Sequence, residues 1–227
     1  MINDDVVIKW IPPSWVQIKA KGKVIYVDPV FLQQYHTETP ENFLKQMEPA
    51  DIILMTHHHF DHCDLKSVIF LRHSGTTVIG TKLCEKELGF KIKTIKPGEE
   101  MDISGVSIKA VHAYNTSQGS STNIFHKKSE CLGYIISVSG KTIYHAGDTD
   151  LIPEMKQFGK IDVALLPMGG TYTMNIDEAI QAVIDINPGL TIPIHHLQSD
   201  PNDFKRKLEG KSMTKVVLLK KGESITV

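Results

Sequence analysis

Asp51-Ile-Ile-Leu-Met-Thr-His-His-His-Phe-Asp-His62 runs from an apolar stretch into four imidazoles and a carboxylate within seven residues. The apolar part is short and β-branched at its centre, which predicts a buried strand ending at Thr56. Packing does not call for the polar part. Its ordered core is His57-x-His59-x-Asp61-His62. On an extended or turning backbone alternate residues share a side, so His57 and His59 can converge on one point. Asp61 and His62 follow where the chain leaves the strand and can face a second point nearby. Nitrogen and oxygen donors without sulfur suit zinc and tolerate manganese or iron.

Three further segments end in a donor. Val106-Ser-Ile-Lys-Ala-Val-His112 alternates like a half-buried strand and stops at a histidine. Lys141-Thr-Ile-Tyr-His-Ala-Gly-Asp148 is a strand followed by a glycine that permits a sharp turn. Thr191-Ile-Pro-Ile-His195-His196 ends a late apolar run in a doublet.

Together these strings resemble the metallo-β-lactamase superfamily, whose signature is His-x-His-x-Asp-His after a strand. The resemblance covers residues 50–196 and implies seven metal ligands: His57, His59, Asp61, His62, His112, Asp148 and His195. Within the doublet His195 is preferred, because the family's ligand falls directly after Pro-Ile, and His196 stays the alternative. Tyr-His-Ala-Gly-Asp-Thr149, Leu166-Pro-Met-Gly-Gly-Thr-Tyr-Thr-Met174 and Phe125-His-Lys-Lys128 are similar to one compact branch. That branch includes ascorbate-6-phosphate lactonases and N-acylphosphatidylethanolamine phospholipase D-like proteins. Where it often has Phe-His-Pro-Lys-Gly, this chain has Phe-His-Lys-Lys-Ser129.

The implied fold is α+β, a four-layer αβ/βα sandwich; the pattern alone predicts only mixed α and β. Strands are expected at Val6–Trp10, Trp15–Lys19 and Val24–Val27, then a helix at Thr39–Gln46 capped by Thr39 with Pro40 at its first position. A second helix is expected from Asp61 or Asp64 to about His73, stopped by Gly75, and a third over Lys82–Leu88. Helices return at Ile152–Phe158 and Ile176–Ile186. No long linker interrupts the 227 residues, so one domain over 1–227 is expected. The stretch Asn115–Glu130 has no clear periodicity, and its place just after His112 suggests a substrate-contact loop.

The resemblance implies a hydrolase using two divalent ions, zinc first and manganese or iron as alternatives, to turn water into hydroxide near neutral pH. Asp148 would bridge the ions and, with Asp61, make up the catalytic pair. Lys128, His126 and Tyr172 are the candidates for gripping a phosphate or carboxylate. Asp28, in Tyr-Val-Asp-Pro, either orients a ligand histidine or simply forms a turn. His145 reads as support for a ligand or as a core residue, while His36 and His73 read as surface.

The expected partner is a small, anionic substrate of phosphoester or lactone type, and a homo-oligomer is compatible with the sequence. A nuclease is the alternative enzyme, weakened by a net charge of −1. A metal-binding protein with a vestigial site is the non-enzyme alternative, weakened by the complete ligand set. The three cysteines have no framework spacing, the N-terminus is acidic where a signal peptide is basic, and no apolar run reaches membrane length. A cytoplasmic protein is expected.

Overall fold

A computed structural model describes residues 5–227. The chain divides into two compact units, one reaching to Ile95 and including Lys221–Val227, the other Lys96–Lys220. The sequence reading has no signal for this division, because neither boundary carries a linker.

The first unit is a seven-stranded mixed sheet. Strands β1 (Val7–Ile11), β2 (Trp15–Ala20) and β3 (Lys23–Val27) are antiparallel, and the C-terminal strand Ser224–Thr226 pairs with β1. Strands β4 (Ala50–Leu54), β5 (Arg72–Gly80) and β6 (Lys93–Thr94) then continue the sheet in parallel. Helix α1 (Pro40–Leu44) has Thr39 as its cap and Pro40 first, as the sequence predicts. Helix α2 (Leu65–Leu71) starts from the Asp64 carboxylate, which accepts the Lys66 and Ser67 amides. It ends earlier than Gly75 suggests. Residues 72–80 instead pair with β4, so sheet formation overrides the helical pattern at His73. Helix α3 (Lys82–Leu88) closes at Gly89 in the left-handed region, φ 72°. Trp15, Tyr26, Ile53, Met55, Val68, Leu71, Cys84 and Leu88 form the unit's core. Full burial of each large apolar side chain contributes roughly 1.5–3 kcal/mol.

The second unit repeats the plan. Strands β7 (Glu100–Ile103), β8 (Val106–His112), β9 (Leu132–Val138) and β10 (Lys141–His145) are antiparallel. Strands β11 (Val163–Pro167), β12 (Leu190–Ile194) and β13 (Lys215–Val216) follow in parallel. The expected helix at 152–158 is a short 3-10 turn, Pro153–Gln157. Helix α4 (Ile176–Ile186) begins with a capping box, Asn175 with Glu178. Ala179, Ile180, Val183 and Ile186 from α4 pack with Phe204 and Leu208 of α5 (Pro201–Leu208) and with Tyr144 and Leu166 of the sheet. In both units the polar motifs leave the C-terminal ends of buried strands, where loops can carry chemistry on a rigid base.

His36 corrects the sequence reading. It is buried rather than on the surface, stacked on Phe31 at 4.3 Å and edge-on to Phe43 at 4.2 Å. Burial, aided by Lys221 and opposed by Glu38, lowers its pKa to about 4. Because the folded value lies below the unfolded one, the contribution is constant above the unfolded pKa. It is lost as pH falls from about 6.5 to 4, by up to about 3 kcal/mol. Denaturant midpoints for wild type and His36→Phe should therefore diverge over that window, the wild type losing more. Parallel pH profiles would remove His36 from the account of acid sensitivity.

Candidate metal centre

In the first unit, β4 ends at Leu54 and the chain turns: the carbonyl of His59 accepts the amides of His62 and Cys63, at 3.0 and 2.9 Å. This turn gathers the motif. The His57 ring centroid lies 4.7 Å from that of His59 and 4.0 Å from that of His62. Asp61 Oδ2 lies 3.8 Å from His62 Nε2. His57 and His62 are fully buried, His59 and Asp61 partly so, and Phe60 between them is 79% exposed.

Asp28 sets the ring orientations. It stands just past β3 with φ 48°, a conformation aspartate tolerates better than most residues. Its Oδ1 accepts the Thr56 amide at 2.7 Å, and its Oδ2 accepts the Thr56 hydroxyl at 2.6 Å and His62 Nδ1 at 2.7 Å. A carboxylate only accepts, so His62 carries its proton on Nδ1 and presents the Nε2 lone pair. Thr56 spends its single proton on Asp28, so Thr56 Oγ1 accepts from His57 Nδ1 at 3.0 Å, and His57 also presents Nε2. Asp28 thus orients two candidate donor histidines, and Thr56, which the sequence reading treats only as a strand end, connects it to both.

In the second unit, Gly147, at φ 63°, turns the chain after β10, and its amide donates to His145 Nδ1 at 3.2 Å. His145 is therefore a buried residue that shapes the Asp148 turn. Asp148 is 3% exposed, and His195 Nε2 and His126 Nε2 each lie 3.6 Å from its Oδ2. The doublet after β12 separates cleanly. His195 is buried, with φ 46°, while His196 donates Nε2–H back to the Pro193 carbonyl at 2.7 Å. Gly169 makes room for this corner, since a Cβ there would stand 2.9 Å from the His195 carbonyl oxygen.

His112 ends β8 half-buried, its ring 6.2 Å from that of Tyr114. The 115–130 loop is pinned rather than loose. Asp150, fully buried, accepts from Asn115 Nδ2, the Thr116 amide and Ser121 Oγ, and a Cβ at Gly119 would overlap its carboxylate. Burial raises the Asp150 pKa against these hydrogen bonds. Neither Asn115 nor Asp150 has a sequence signal, because their partners lie up to 57 residues away.

The expected anion-binding residues differ in setting. Lys128 donates to Glu154 at 2.6 Å and lies 4.6 Å over the Tyr114 ring. That hydrogen bond raises the Lys128 pKa, and its charge is compensated locally. Tyr172 is exposed, its ring 4.7 Å from Phe125 and roughly perpendicular to it. His126 is only 2% exposed.

All donors are imidazole nitrogen or carboxylate oxygen, and Nε2 is the presented atom of both His57 and His62. This chemistry fits zinc, manganese or iron. Among the described residues, no helix is long and apolar enough to cross a membrane.

The family model described as a beta-lactamase superfamily domain matches residues 7–195. The UPF0173 metal-dependent hydrolase of Thermoplasma acidophilum is 35% identical over 207 residues, covering 86% of this chain and 88% of the relative. That of Pyrococcus abyssi is 33% identical over 235 residues, covering 97% and 99%. The crystal structure of Igni18, a metallo hydrolase from Ignicoccus hospitalis, superposes with a TM-score of 0.82 at 28% identity, covering 98% of each chain. The chain belongs to the beta-lactamase superfamily, with its metallo-β-lactamase fold, and within it to the UPF0173 metal-dependent hydrolases.

Proposed function

We propose that this hydrolase uses two divalent ions, zinc first and manganese or iron as alternatives, to cleave a small anionic phosphoester or lactone in the cytoplasm. The ligands in this reading are His57, His59, Asp61, His62, His112, Asp148 and His195. The observation that carries it is the Asp28–Thr56 lock, which fixes two motif histidines in the tautomer a cation needs. Bound ions supply Lewis acidity and lower the pKa of water into the neutral range. In this reading Asp148 and Asp61 are the carboxylates that would take up a proton from water. Tyr172 supplies an exposed aromatic contact for substrate, whereas Lys128 is engaged with Glu154. Cys63, Cys84 and Cys131 are buried and outside any disulfide among the described residues, which accords with a reducing compartment.

Metal-replete protein should contain about two divalent ions per chain by elemental analysis. Chromogenic phosphodiesters, lactones and thioesters, assayed with zinc and then manganese, should then show turnover on one of the first two classes. Absence of stoichiometric metal would remove the basis of the reading, and turnover confined to thioesters would refute the substrate class.

A further inference from the structure

We propose that His126, and not His112, fills the third histidine place in the metal set. The proposal rests on the metal-dependent reading above and revises its ligand list at one position.

Three observations within the second unit converge on His126. The first is separation. Two donors on one tetrahedral ion, each about 2.0–2.1 Å from it, stand roughly 3.3 Å apart. His126 Nε2 lies 3.6 Å from Asp148 Oδ2, as does His195 Nε2, so two imidazoles flank one carboxylate oxygen at near-ligand spacing. Lone pairs so close to a carboxylate repel it unless positive charge lies between them.

The second observation is protonation. Asn115 Oδ1 accepts the backbone amides of Phe125 and His126 at 3.0 and 2.8 Å. Amides only donate, so this atom is the side-chain oxygen, and His126 Nδ1, 3.0 Å away, must donate to it as well. With Nδ1 carrying its proton, the ring in its neutral form presents the Nε2 lone pair toward Asp148. It is the same device that Asp28 provides for His62.

The third observation is support. Asn115 cannot rotate freely, because its Nδ2 donates to Asp150 Oδ1, to Ser121 Oγ and to the Tyr172 carbonyl. Its own amide donates to the His126 carbonyl at 2.8 Å. Asp150, which anchors the group, lies two residues beyond Asp148. The chain Asp150–Asn115–His126 thus leads back to Asp148, two residues before its starting point, and it holds a buried ring in place. An ion requires such a support; a mobile substrate contact does not. His112 has no comparable partner: its Nδ1 is buried without a hydrogen bond among the described residues.

The test compares zinc in wild type, His126→Ala and His112→Ala after dialysis against a chromophoric chelator, with cobalt spectra as a second readout. His126→Ala should lose about one ion and alter the cobalt spectrum, while His112→Ala keeps the wild-type values. His126→Gly should regain the ion when imidazole is added, which a purely structural role would not produce. Should His126→Ala fail to fold, as seen by circular dichroism, the comparison is read on His126→Gln. Loss of an ion in His112→Ala, or retention in the His126 variants, overturns the assignment. Wild type without stoichiometric metal overturns the metal-dependent reading itself, and is distinguished by being seen before any substitution.

Discussion

Asp148→Ala should lower turnover by more than about 100-fold and deplete metal, while the protein still folds. The magnitude follows from the position. Asp148 is the only carboxylate set 3.6 Å from both His126 Nε2 and His195 Nε2 among the described residues. Removing it takes away the carboxylate that lies between two imidazole nitrogens, so on the proposed reading metal affinity falls. The fold should survive, because the turn is made by Gly147 and by its amide bond to His145, neither of which needs the Asp148 side chain. Asp148→Asn separates charge from shape. It should keep the turn and still lose metal, since a neutral amide is a poorer metal ligand than a carboxylate. The measurements are elemental analysis and turnover on whichever phosphodiester or lactone the panel identifies. Wild-type metal content in Asp148→Ala would remove this residue from the ligand set, whatever the activity.

The sequence makes local features legible and leaves the long-range ones dark. The strand before the motif, the Thr39 cap with Pro40, and helix 82–88 closed by Gly89 all follow from neighbouring residues, and all appear in the structure. Gly75 misleads because its segment is claimed by β4, a partner that periodicity cannot see. His36 misleads in the same way: nothing adjacent to it in sequence announces that Phe31 and Phe43 will enclose it. In the site, the superfamily pattern suggests candidate donors but is silent on the groups that orient them. Asp28 is visible as a candidate because it ends a strand before proline. Thr56, Asn115 and Asp150 are not, since the bonds that join Thr56 to Asp28 and Asn115 to Asp150 span 28 and 35 residues. Lys128 shows the converse. A lysine pair in a loop reads as free positive charge, yet Glu154 engages Lys128 and Glu130 lies 3.4 Å from Lys127.

Asp28→Ala should be the most damaging substitution outside the donors themselves. It strips the acceptor from three buried donors at once: the Thr56 amide, the Thr56 hydroxyl and His62 Nδ1. Each unsatisfied buried group costs about 1–3 kcal/mol, so a loss of several kcal/mol is expected, enough to unfold a marginal protein. Asp28→Asn is the informative variant. Its amide oxygen can serve either the Thr56 amide or the Oδ2 pair, not both, and its NH2 then confronts a donor. If the oxygen stays with Thr56, His62 must flip its proton to Nε2 and accept on Nδ1, which withdraws the lone pair that the metal needs. Asp28→Asn should therefore fold with a lowered melting temperature and bind metal about 10–100-fold more weakly. Excess zinc should restore part of the activity, because the defect lies in affinity and not in the reacting groups. The contrast with Asp148→Asn is what makes the experiment decisive: there the proposed metal-binding carboxylate itself is missing, and added zinc should restore nothing. If Asp28→Asn retains wild-type zinc affinity, the Asp28–Thr56 lock serves the fold alone, and the tautomer of His62 is set by something else.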